Sequence, residues 1–134
     1  MNLRLAGLIA ALLLAMSPAP FAAHHSIVAT YDATKPITIT GKVTEMRWGN
    51  PHSLLSMDVI APDGKVVTWK IEMGGPANLL KSGFRKEEIF STPITLQAWP
   101  ARDGSLMAAG RLLTLPDGRQ FDVHDTFAEN LQMK

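Results

Sequence analysis

Two adjacent histidines, His24 and His25, follow the stretch FAA at the end of an apolar leader. A histidine near a free chain terminus can join its imidazole to the terminal amine and the peptide nitrogens between them, and such a square of nitrogens suits Cu(II) or Ni(II). A cut after Ala22 starts the chain Ala-His-His, with His25 third; a cut after Ala23 makes His24 the carrier of the amine, chelating copper together with one further histidine. The plainer meaning of the pair is a polar segment that keeps a cleavage site extended and soluble. His52, in the loop RWGNPHS (residues 47–53), is the candidate for the further imidazole. Its plainer role is to close a barrel mouth beside Trp48, with the ring bonded to a backbone carbonyl. His124 reads as part of a C-terminal tail and is the weaker candidate. Zinc is poorly served, since the chain has no Cys and no paired histidines at helical spacing.

The second constellation is WPARDGS, residues 99–105. Arg102 and Asp103 beside a glycine suit a polar clamp, and arginine recognises carboxylate or phosphate through its planar fork. A turn with a surface ion pair is the commoner meaning of such a stretch. With Trp48, Asn50 and Trp99 these residues outline a rim that would take an envelope protein or a small ligand. No Ser-His-acid order, nucleophile elbow, phosphate-cradling loop or dinucleotide fingerprint occurs, so no enzyme activity is expected.

Positioning these residues falls to a short exported domain. Arg4, the apolar run from Leu5 to Met16 and the tail SPAPFAA form the pattern of a secretory signal peptide over residues 1–23. The run is too short for a membrane-spanning helix, which needs about 20 residues. The expected location is therefore the periplasm, with no transmembrane anchor after cleavage. Removing 23 residues from 134 leaves 111, enough for one domain. Of 13 basic and 12 acidic residues the leader holds only Arg4, so the mature chain is neutral with 12 of each. Neutrality and export speak against a nucleic-acid groove. Without Cys, stability must come from an apolar core.

Residues 24–35 lack a period and read as an N-terminal arm. From Pro36 the two-residue period of strands begins, with Ile37, Ile39 and Val43 on one face and Gly41 marking a bulge or bend. Leu55, Met57 and Val59, then Val67, Trp69, Ile71 and Met73, flank Pro62-Asp63-Gly64 as a hairpin. GGPANLLKSG predicts a short helix that opens on Pro76, buries Leu79 and Leu80 and stops at Gly83. Ile94, Leu96 and Ala98 resume the strand period, and LMAAGRLLTL supplies a fifth strand before a second Pro-Asp-Gly turn. The order predicts a mainly β chain: a small OB-like five-stranded barrel over residues 36–123, one short helix between strands 3 and 4, and a tail over 124–134. A small open sandwich is the alternative.

With AHHS, YD, ITGKVTEMRWGNPH, the PDGK hairpin, PANLLKSGF and PARDGS in this order, the chain resembles a family of small exported bacterial proteins of unknown function. The resemblance covers nearly all of the mature part. It implies export and a shared domain, and brings no mechanism with it.

Overall fold

The computed structural model describes residues 27–90 and 92–124. Six strands follow a four-residue helical turn, α1 (Ile27–Thr30): β1 (Ile37–Arg47), β2 (His52–Ile60), β3 (Val66–Gly74), β4 (Ile94–Pro100), β5 (Met107–Thr114) and β6 (Gln120–Asp122). Helix α2 (Pro76–Lys81) and a 3-10 turn (Lys86–Ile89) lie between β3 and β4. The hydrogen-bonded order is β3-β2-β1-β4-β5-β6, and a parallel pairing of Lys70–Glu72 in β3 with Met107–Ala109 in β5 joins the ends. Five strands thus close a barrel of the OB-like kind, with one short helix between strands 3 and 4, and β6 lies outside on β5.

The closure depends on β1 changing partners. Residues Ile37–Gly41 pair with β4 and residues Lys42–Arg47 with β2, so Gly41 is the corner. A Cβ there would stand 2.2 Å from the carbonyl oxygen of Asp58, an approach that only glycine permits. The irregularity that resets the strand's phase lies just beyond it, between Val43 and Glu45, and it brings both Val43 and Met46 to the core.

The apolar phases read from the sequence converge inside. Leu55, Met57, Ile71, Ile94, Leu96, Ala98, Ala108 and Leu113 are fully buried there, and Leu79, Phe84 and Ile89 cap the interior from the β3–β4 connection. Helix α2 ends as a Schellman motif: the Gly83 N–H donates to Leu80 O and the Phe84 N–H to Leu79 O, which draws Phe84 onto the core beside Leu79. Leu80 departs from expectation. Six residues of helix present a single inward position, Leu79 takes it, and Leu80 is left 48% exposed.

Three reversals reuse one device. Gly64, Gly104 and Gly118 each have φ near +80°, and the preceding aspartates, Asp63, Asp103 and Asp117, accept the N–H two residues on. A second apolar cluster lies on the outside of the barrel, where Tyr31, Trp99, Ala101 and Ala109 are buried against Ile27, Ala33 and Met107.

Candidate functional site at the arm and barrel wall

Alternation along β3 sends Ile71 and Met73 into the core and so places Glu72 on the outer wall. Its neighbour in β5 is Ala109, whose small side chain leaves room for the N-terminal arm to lie across the wall. The arm is held by its backbone. Asp32 N–H donates to Pro100 O at 2.8 Å, Arg102 N–H donates to Thr30 O at 2.9 Å, and Tyr31 bridges Ala101. Tyr31, 1% exposed, donates its hydroxyl to Glu72 Oε2 at 2.6 Å. The other carboxylate oxygen, Oε1, meets His52 Nδ1 at 2.5 Å. Burial pushes the Tyr31 phenol well above its ordinary range, and the hydrogen bond to Glu72 with the negative charges of Glu72 and Asp103 pushes it the same way.

Two glycines let distant segments reach this wall. His52 opens β2 opposite Gly74, after a loop containing a cis Asn50–Pro51 peptide. A Cβ on Gly75 would stand 2.7 Å from Pro51 O, and one on Gly74 would stand 2.9 Å from His124 O. The chain leaving β6 therefore packs directly on the end of β3, fixed by Gly74 N–H donating to Val123 O at 2.8 Å. His124 is 5% exposed. Its backbone N–H donates to Asp122 Oδ1 at 3.1 Å, and its Nδ1 lies 2.9 Å from the same oxygen. The ring meets Trp99 edge to face at 6.5 Å, and the Arg111 guanidinium stacks over Trp99 at 4.9 Å from the ring centre. Between these groups lies a cavity of ≈ 10 Å³ bordered by Ile27, Glu72, Trp99, Ala109 and His124. That is the scale of a single water molecule.

An ionised carboxylate can only accept, so in both histidines Nδ1 carries the proton shared with the carboxylate. The carboxylates thereby fix tautomer and orientation together, which is how carboxylates prepare histidines to ligate metals. Among the described residues no group of three or more His, Cys, Asp and Glu is arranged to hold a metal ion. His24 and His25 lie outside the described residues.

The remaining rim residues are distributed over different surroundings. Trp48 packs against the inner core, stacked on Phe84 at 6.0 Å, and borders an open groove of about 280 Å³ with Leu80, Arg85, Lys86 and Glu87. Trp99 belongs to the outer cluster, so the two tryptophans do not share one surface. Asn50 is exposed. Arg102 Nη1 lies 3.6 Å from Asp32 Oδ1 and helps fasten the arm. Asp103 accepts the Ser105 hydroxyl at 2.7 Å and its N–H at 2.9 Å, and these bonds, the hydroxyl's first, hold its carboxyl below the usual range.

Sequence reasoning missed Tyr31, Glu72 and Asp122, and it set His124 in a tail whereas the chain buries it. A glutamate in the outward phase of a strand looks like any solvated face, and a lone tyrosine in a segment without period gives no sign of its partner. Gly74-Gly75 was the usable signal: two glycines where a strand ends mark a place that other backbone approaches closely.

No helix of the described residues is long and apolar enough to cross a membrane. No curated protein and no solved structure matches the chain. The sequence profile of a family of unknown function, DUF6152, matches residues 11–110. The chain belongs to that family, an uncharacterised one, as its motifs imply.

Proposed function

We propose that this is an exported, periplasmic binding protein without catalytic activity of its own, which takes copper through His24 or His25 and the mature chain amine, with His52 as a further ligand. The observation that carries the reading is the relay from Tyr31 through Glu72 to His52. Tyr31 sits on the arm that descends from the histidine pair, and the glutamate it braces orients the one loop histidine the sequence put forward as a third imidazole. Arm and ligand are thus coupled through a single carboxylate. Calorimetric titration with Cu(II) tests this, on protein whose mature start has been verified by mass spectrometry. Replacing both His24 and His25 by Ala is expected to weaken binding at least tenfold; unchanged affinity would end the reading. An initiator Met or tag left before the pair would displace the amine, so such material is unsuitable.

A second reading is supported by the open groove beside Trp48, Leu80, Arg85 and Lys86. In it the domain is an interaction module that recognises an envelope protein or small ligand at the barrel rim. Capture of a partner that is indifferent to chelators and lost in Trp48→Ala would favour it over copper.

A further inference from the structure

The connection from β3 to β4 carries two cations that no carboxylate of the described residues answers. Lys35, Lys65, Arg102 and Arg119 each lie within 4.0 Å of an acidic oxygen. Among the described residues Arg85 and Lys86 have no such partner, and both border the open groove of about 280 Å³ beside Trp48 and Leu80. Their backbone is set from both sides: the Phe84 N–H donates to Leu79 O at the end of α2, and the Glu88 N–H donates back to Arg85 O in the 3-10 turn. The Arg85 guanidinium is steered as well, since its Nη1 donates to Phe84 O at 2.9 Å. That spends one of the five N–H donors of an arginine and leaves the rest for another acceptor.

The apolar side of the groove is equally prepared. Trp48 is held by stacking on Phe84, with ring centres 6.0 Å apart, and Leu80 stands 48% exposed because α2 offers it no place in the core. An aliphatic side chain exposed beside an aromatic ring and two cations suits an amphipathic anion. The neighbouring acids bound that anion's charge. Glu88 is engaged by Arg119 at 2.9 Å, whereas Glu87 borders the groove itself. Two cations against one carboxylate leave a single net positive charge, which matches a monocarboxylate better than a phosphate or a polyanion. The volume falls just below the roughly 300–1,000 Å³ of pockets that enclose drug-sized ligands, which suits a small free acid.

We propose that this groove binds a small apolar monocarboxylic acid, its carboxylate between Arg85 and Lys86 and its apolar body against Trp48 and Leu80. This rests on the rim-recognition reading above, whose ligand class it names, and is independent of copper.

The probe is 4-phenylbutyrate, added to the mature protein while the indole N–H signals of the three tryptophans are followed by heteronuclear NMR. Trp48→Phe identifies its signal by loss. The Trp48 indole is expected to move saturably, with those of Trp69 and Trp99 still. A Kd of about 1 mM or below is within reach of a ligand of about a dozen non-hydrogen atoms. Arg85→Gln and Lys86→Gln, both at exposed positions, should each weaken binding about three- to tenfold by removing a charge-assisted hydrogen bond. Glu87→Gln should tighten it. The neutral 4-phenylbutanamide should bind more weakly than the acid and be indifferent to both glutamine variants. A Trp48 signal that 4-phenylbutyrate does not move, or binding that neither Arg85→Gln nor Lys86→Gln weakens, overturns the proposal. If an envelope protein is captured through Trp48 while the acid fails these tests, the rim reading stands and this inference falls. Equal affinity for acid and amide likewise leaves an apolar rim and removes the charge recognition inferred here.

Discussion

The barrel interior and its outer wall are both closed by apolar packing, yet they are built on different terms. The interior gathers residues that alternate along strands, and among the described residues its single buried polar side chain is Ser53. The outer wall joins an arm, a loop, a strand face and a strand end, and every joint carries a polar group: Tyr31, His52, Glu72, His124. Hydrophobic burial alone suffices where neighbours are set by strand register. Where segments from remote parts of the chain must meet at one spot, hydrogen bonds to charged groups fix the place.

If the two regions are separate in energy as well as in composition, substitutions should divide accordingly. The largest effect is expected from Leu96→Ala in the interior, about 2–5 kcal/mol of global stability, measured by denaturant unfolding. Tyr31→Phe removes the bond to Glu72 from the outer wall and should cost about 1.5–3 kcal/mol locally. Hydrogen exchange would detect it as faster opening of the Asp32 and Arg102 amides, with the midpoint of global unfolding shifted much less. A global loss equal to that of Leu96→Ala would show that the wall and the interior are one unit.

Alkali sharpens the same contrast. Tyr31 is the single tyrosine of the chain, so absorbance at 295 nm reports it alone. Its folded pKa is raised, so the protonated phenol favours the docked arm. That contribution is complete below the ordinary tyrosine pKa of about 10 and is lost as pH rises beyond it. Little ionisation is expected at pH 10 in the native protein, and about half in urea. Smallest of all is Ser53→Ala. Its hydroxyl is fully buried and has no hydrogen-bond partner among the described residues, so its removal should raise stability by up to about 1 kcal/mol in thermal unfolding.

The same contrast explains what could be read from the chain. Leu55, Met57, Ile71, Ile94 and Leu96 stand in a two-residue period, and that period is the barrel's interior written out. The turns were equally legible, because Asp-Gly pairs specify their own backbone. Leu80 was misjudged because adjacent leucines on a helix of under two turns cannot both face one side. The wall was largely invisible: the partners Tyr31 and Glu72 are 41 positions apart, and no local pattern announces such a pair. His52 was singled out for its loop, but the carboxylate that orients it was not. Arg102 and Asp103 were recognised as a turn, while the service that turn gives to the arm depends on Thr30 and Asp32, which only folding brings alongside.

The seam between β3 and β5 also bears on the order of events when the chain folds. Both strands belong to hairpins whose reversals are self-specifying, so each ribbon can nucleate early from nearby residues. Their side-by-side parallel contact joins Lys70 to Met107 and must enclose α2, the 3-10 turn and β4 before it brings any reward. Ring closure of this intervening loop is thus the step expected to cost most chain entropy, so substitutions along the seam are expected to slow refolding more than substitutions in the turns.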